Sequence, residues 1–230
     1  MKTNMFTVVM VGVVMMLLPI ASVTQGDVLK DNFNDGQRSS IWKIIKQGTK
    51  VKIREKHGHL ESKSIEPGGG SFGKGYVSKG WKFKFTKDYK IKFKYHLDVL
   101  ATNGNRETNV GIVVFPSGPV EYVSIGVSQV ASGRYLYFEV FQGGNVIDYE
   151  EVFVPNATGT IKVKYNASKD RLDIFLDGVR KLRIRHLLQG VDTGNGTAEL
   201  AIGADRLGFV EWRWREAWLD DFVIRGRIID

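Results

Sequence analysis

Hydrophobic residues recur at every second position through much of this chain. Trp81-Lys82-Phe83-Lys84-Phe85 alternates strictly, and so does Tyr89-Lys90-Ile91-Lys92-Phe93-Lys94-Tyr95-His96. A side-chain period of two belongs to a β-strand with one face in a core and one in water, so each tract buries its apolar row and presents lysine outside. Thr86, Lys87 and Asp88 read as the turn between them. Further strands are predicted over residues 51–54, 60–64, 109–115, 120–130, 134–142, 146–154, 160–165, 171–176, 179–184 and 197–202, with turns at 116–119, 131–133, 143–145 and 177–178. Asp177-Gly178 between two apolar runs is a two-residue hairpin signal. Long helices are absent after residue 26, and residues 186–190 suit one short turn at most. Pro67-Gly68-Gly69-Gly70-Ser71 reads as a surface loop because strands flank it closely. Many short strands with regular turns predict an all-β sandwich.

Two motifs frame that region. Asp31-Asn32-Phe33-Asn34-Asp35-Gly36 followed by Trp42 opens it, and Trp218-Leu219-Asp220-Asp221-Phe222-Val223-Ile224 closes it. With these bookends around short alternating strands, residues 27–228 resemble the concanavalin A-like lectin and glucanase superfamily, whose laminin-G-like and laminarinase-like members often begin and end this way. The resemblance implies a two-sheet antiparallel jelly-roll sandwich in which the first and last strands lie side by side. It also implies that Trp42 packs in the core.

Lys2, the uncharged apolar run over residues 6–20 and the small residues Ala21, Ser22 and Gly26 read as a signal peptide over 1–26, cleaved before Asp27. One concanavalin A-like domain over 27–230 remains. The run is shorter than the roughly 20 residues of a spanning helix, so no membrane span is expected after cleavage. The expected destination is secretion, the periplasm or the cell surface. The chain has 0 cysteines, which excludes a disulfide framework and a lipid-modified cysteine anchor.

The formal net charge is +8, and residues 74–96, with eight lysines and one aspartate, carry nearly all of it. One reading is a solvated outer face whose lysines deter edge pairing. The other is an electrostatic footprint for an anionic polymer, such as a uronic-acid or sulfated polysaccharide, or an anionic cell surface. A second basic run comprises Lys43, Lys46, Lys50, Lys52, Arg54 and Lys56. Nucleic acid is not expected as a partner, since no nucleic-acid-binding motif is present.

Laminarinase-like hydrolases carry their catalytic acids as E-x-D-x-x-E on one strand. Here no glutamate is followed two positions later by aspartate, which argues against that chemistry. Glu150 and Glu151 are adjacent and so point to opposite faces of a strand, whereas Glu121 and Glu139 sit on neighbouring strands and are placed to face each other. His57 and His59 straddle Gly58 without a third metal ligand. No G-x-S-x-G or P-loop occurs. Sugar recognition combines aromatic platforms with polar groups. The densest patch is Glu211-Trp212-Arg213-Trp214-Arg215-Glu216, where Trp212 and Trp214 share one face and Arg213 and Arg215 the other. The tryptophans either fill the core or line a cleft, and Tyr122, Tyr135 and Tyr137 are further candidates. The opening motif fails the EF-hand pattern, with Phe33 at the third position and Trp42 at the twelfth. By the resemblance, Asp31, the Gly58 carbonyl and Asp221 are instead the candidates for a structural calcium ion. The resemblance implies carbohydrate binding; with the leader, the missing acid motif and the lysine-rich charge, the expectation is an exported, non-catalytic carbohydrate-binding module, with acidic polysaccharide or another glycan as ligand. The alternatives are a divergent glycoside hydrolase or polysaccharide lyase, and a structural or adhesion domain that binds protein.

Overall fold

The computed structural model describes residues 26–46, 51–64, 74–99, 107–117, 120–189, 193–207 and 212–229. The chain begins with β1 (Asp27–Asp31), β2 (Trp42–Lys46), β3 (Val51–Lys56), β4 (His59–Ser64), β5 (Lys74–Ser78) and β6 (Lys82–Lys84). It continues through β7 (Tyr89–Leu97), β8 (Glu107–Pro116), β9 (Val120–Val130), β10 (Gly133–Gln142), β11 (Asn145–Phe153) and β12 (Thr158–Asn166). A single 3-10 turn (Ala167–Lys169) then leads to β13 (Arg171–Leu176), β14 (Val179–Arg185), β15 (Thr197–Leu207), β16 (Trp212–Gly226) and β17 (Ile228–Ile229). The strands form two antiparallel sheets packed as a sandwich. One runs β14-β13-β12-β7-β16-β4-β3, with β1 also paired to β16. The other runs β11-β10-β9-β8-β15-β5-β2, with β6 beside β15 and β17 beside β6.

Alternation decides what each face carries. β7 buries Tyr89, Ile91, Phe93, Tyr95 and Leu97, and it exposes Lys90, Lys92 and Lys94. Lys164 and Lys162 on β12 lie opposite Lys90 and Lys92, and Arg225 on β16 also faces Lys90. The outer side of this layer, the lysine sheet, is therefore a basic lattice. In the other layer Val123, Ile125 and Val127 of β9 and Leu136, Phe138 and Val140 of β10 enter the core. Tyr122, Tyr135 and Tyr137 take the outer side, and this layer is the tyrosine sheet.

The two lysine-rich tracts do not share a surface. β6 pairs with β15 and β17 in the tyrosine sheet, whereas β7 lies in the lysine sheet. The turn at 86–88 therefore carries the chain from one layer to the other. The second basic run divides in the same way: Lys43 and Lys46 on β2 join one sheet, Lys52, Arg54 and Lys56 on β3 the other, and Lys50 lies outside the described residues.

The ends meet as the bookends imply. β1 pairs with β16 in a register that sets Asp31 opposite Phe222. One Asp31 carboxylate oxygen accepts the Phe33 N–H at 2.9 Å and the other accepts the Trp42 indole N–H at 2.9 Å. Trp42 is fully buried and meets Phe222 edge-on at 5.3 Å and Trp81 at 5.7 Å between ring centroids. The opening and closing motifs thus share one aromatic cluster. At the β13–β14 hairpin both Asp177 and Gly178 have positive φ, 49° and 83°, which a two-residue turn of this kind requires. Arg134 of β10 ties the layers together, donating to the Leu97 carbonyl at 2.7 Å and pairing with Asp98 at 2.8 Å.

Removing the indole should separate its two contributions. Trp42→Phe loses the bond to Asp31 and should cost about 1 kcal/mol. Trp42→Ala also empties the core and should cost about 3–5 kcal/mol in urea unfolding. A Trp42→Phe variant as stable as the parent protein would show that the bond to Asp31 does nothing for closure.

Candidate functional site

The outer face of the tyrosine sheet has an unusual floor. Gly75, Gly203, Gly111 and Gly126 lie opposite one another on β5, β15, β8 and β9. Tyr137 and Glu151 continue that row on β10 and β11. Three inter-strand gaps make the side-chain-free floor about 14 Å across. A Cβ at Gly126 would stand 2.5 Å from the Val110 carbonyl oxygen, so this row excludes other residues. One flank is Val77, Ala201, Val113, Ser124, Glu139 and Tyr149; the other is Asn109, Ser128, Tyr135 and Phe153.

Hydroxyls and carboxylates on this face are paired with one another. The Tyr122 hydroxyl donates to Glu139 at 2.9 Å, and its ring stacks on Phe141 at 4.9 Å and 2°. Tyr137 and Ser124 share a hydrogen bond of 2.9 Å. The Tyr149 hydroxyl donates to Glu151 at 2.7 Å. Tyr149 and Phe153 are about half exposed, at 47% and 55%, and form the open rim. Glu139 and Glu151 are diagonal neighbours on adjacent strands, which places their backbones about 7–8 Å apart. Glu121, by contrast, does not face Glu139. Ser124 is the residue opposite Glu139, and Glu121 instead accepts the Gly144 N–H at 3.0 Å beside the register shift at Phe141/Gln142.

The sequence-predicted ligand residues fall on two different sheets. Tyr122 and Tyr137 belong to the face just described. Trp214 lies on the lysine sheet, half-buried under the Arg54 guanidinium at 4.0 Å and the Lys63 ammonium at 5.1 Å. Arg54 also binds the fully buried Glu61 through bonds of 2.9 and 2.8 Å, and His57 meets that carboxylate at 2.9 Å. Arg215 then bonds His57 at 3.0 Å. A register shift between Trp212 and Ala217, with Arg215 at φ 75°, breaks the strict alternation assumed for this segment. The side chains of Trp212 and Arg213 lie outside the described residues. His57 and His59 do not converge: His57 binds Glu61, and His59 stacks on Trp218 at 4.0 Å. The glycine row, Phe141, Tyr149 and Phe153 escaped sequence reading. Single glycines inside the predicted strands 109–115 and 120–130 were the available signal.

Asp31, Gly58 and Asp221 do not fit a calcium ion as they are arranged. Both Asp31 oxygens hold N–H donors, and Asp221 is ion-paired with Lys94 at 2.6 Å. Among the described residues no three His, Asp or Glu side chains gather where a metal ion would sit. Chelation with EDTA is therefore expected to leave the melting temperature unchanged, and a drop would reverse that reading. Nearby Glu55 is 9% exposed, and neither carboxylate oxygen has a hydrogen-bond partner within bonding distance. Burial pushes its pKa up from 4.5 to about 7; the Tyr76 hydroxyl offsets this only in part, and Asp31 adds to the rise. The folded chain holds this proton more tightly than the unfolded chain does. The associated stability is complete below pH 4.5 and is lost as pH rises through about 7. Glu55→Gln should match the parent protein in urea at pH 4 and exceed it at pH 8 by up to about 3 kcal/mol. A parallel pH profile for the two proteins would contradict this.

No protein-family model and no curated protein matches the sequence. The fold does match solved structures. The carbohydrate recognition domain of Emp47p aligns with a TM-score of 0.59 at 11% identity, over 90% of this chain and 99% of that one. A laminarinase from Flavobacterium sp. UMI-01 aligns with a TM-score of 0.60 at 12% identity, over 86% and 99%. A GlcNAcα1-4Gal-releasing endo-β-galactosidase from Clostridium perfringens aligns with a TM-score of 0.63 at 10% identity, over 87% and 62%. With two antiparallel sheets, ends paired side by side and these structural matches, the chain has the concanavalin A-like jelly-roll fold.

Proposed function

We propose that this protein is an exported carbohydrate-binding module that holds a glycan chain along the outer face of the tyrosine sheet without cleaving it. The observation that carries the reading is the glycine row bounded by Tyr135, Tyr149 and Phe153 on one side of the sheet. A pyranose has apolar C–H faces and a rim of hydroxyls, so exposed rings beside carboxylates and hydroxyls suit it. The neighbours in fold include a carbohydrate recognition domain and glucanases, and carbohydrate binding is what those names have in common. The net charge of +8 favours an acidic polysaccharide through long-range attraction. Export rests on residues 1–26 acting as a leader. Among the described residues no helix is long and apolar enough to cross a membrane.

One observation favours hydrolysis as the second reading. Glu139 and Glu151 share the face as diagonal neighbours, and two carboxyl groups on one face are what acid–base cleavage of a glycoside uses. Each already accepts a tyrosine hydroxyl, and they lie on different strands rather than in a single-strand acid motif.

Retention on immobilised polysaccharides tests the proposal. Tyr149→Ala and Phe153→Ala should each weaken retention about tenfold, and no new reducing ends should appear. Retention on an acidic polymer should also fall as salt rises. Undiminished binding by both variants would remove the tyrosine face from consideration. Reducing ends that vanish in Glu139→Gln would establish the hydrolase instead.

A further inference from the structure

The lysine sheet ends at β14 and the tyrosine sheet at β11, and these two edge strands pack against each other at the same end of the sandwich. Their charges are opposite. β11 carries Asp148, Glu150 and Glu151 and no base, whereas β14 carries Arg180, Lys181, Arg183 and Arg185 and no acid. Arg183 is engaged by Asp173 at 2.7 Å. Among the described residues, Asp148, Glu150, Lys181 and Arg185 form no ion pair within the chain. The same edges hold Val146, Ile147 and Val179, three exposed large hydrophobics outside the glycan-facing rim of Tyr149 and Phe153. Apolar exposure concentrated in this way marks a contact surface.

We infer that two copies of this chain associate through this end, the acidic β11 edge of each against the basic β14 edge of the other. An edge strand presents unpaired N–H and C=O groups along its length, so backbone pairing is available to both. The symmetry follows from the charges. A two-fold axis parallel to the strands brings β11 to β14 twice. A two-fold axis perpendicular to the sheets would oppose acid to acid and base to base, and like charges facing each other across a strand pair are destabilising. The favoured arrangement makes the tyrosine sheet of one copy continuous with the lysine sheet of its partner. Aromatic rims and basic lattices would then lie along one surface, a layout suited to a long acidic chain. The association itself does not depend on what that surface binds.

Sedimentation equilibrium of the full chain, purified from an exporting host, tests the inference. The protein should be a dimer whose dissociation constant rises roughly tenfold between about 0.05 and 0.5 M salt. The double variant Asp148→Lys/Glu150→Lys has two basic edges, and Lys181→Glu/Arg185→Glu has a β14 edge stripped of its basic excess. Each alone should be monomeric, and the equimolar mixture should recover a dimer, which a misfolded variant would not do. A parent protein that stays monomeric at about 100 μM would overturn the inference, because a specific interface associates well below that. So would a dimer insensitive to both charge reversals and salt.

Discussion

A strand in a two-layer sandwich has two faces, and the core claims one of them along its whole length. That constraint decides what is left for chemistry. On β9 the core takes Val123, Ile125 and Val127, so Tyr122, Ser124, Gly126 and Ser128 are what the outer face receives. On β7 the same rule leaves Lys90, Lys92 and Lys94. The protein therefore has two outer surfaces of different chemical character, one of rings, hydroxyls and bare backbone, the other of ammonium groups. Neither is a decoration added to the fold. Shifting either strand by one residue would send its outward set into the core and expose the apolar row.

Closure of the sandwich concentrates buried carboxylates at one place. Asp31 sits where β1 meets β16, and burial raises its pKa despite hydrogen bonds from the Phe33 backbone and the Trp42 indole. Those donors replace the water it has lost. Glu55 is close enough to feel the Asp31 charge and has no comparable donors, so it responds to burial by holding its proton more tightly. The two carboxylates therefore answer burial in different ways. One carboxylate is committed to clamping Trp42, and its neighbour is favoured neutral. On the lysine sheet the balance reverses. Although burial works against it, Asp173 is held below the usual carboxylate range by Arg183 and Arg171.

How far the sequence discloses this structure depends on whether a feature is local. The strands were legible because alternation is local, and Asp177-Gly178 marked its hairpin because two consecutive residues carry the whole signal. The pairing of the ends was legible only through the bookend motifs. Which sheet a strand joins is not local. The tracts around Phe83 and Phe93 look alike, yet they occupy different layers because a three-residue turn spans the sandwich between them. The surroundings of Trp214 escaped for a related reason. Period-two reasoning fails once a bulge intervenes, and Arg215 with positive φ is such a break. Tyr122 and Tyr137 lie on strands, as their alternation indicates, but the glycine row beside them is a register property. Gly75, Gly203, Gly111 and Gly126 are scattered over more than a hundred residues of sequence, and only strand pairing puts them in one row.

The same constraint that allocates faces also leaves edges, and the edges are where this sandwich departs from ordinary protection. Charged edge strands usually prevent association, because identical edges meeting across a symmetry axis repel. That protection works when both edges at one end of a sandwich carry the same sign. Here β11 is acidic and β14 is basic, so the charges block one orientation and assist the other. Exposed side chains such as Ile147 and Val179 add contact area that a purely protective edge would lack. Repulsion between like edges and attraction between unlike ones then act together to select a single geometry. In that geometry the boundary between the two surfaces, fixed inside one chain by the alternation of its strands, is bridged between chains.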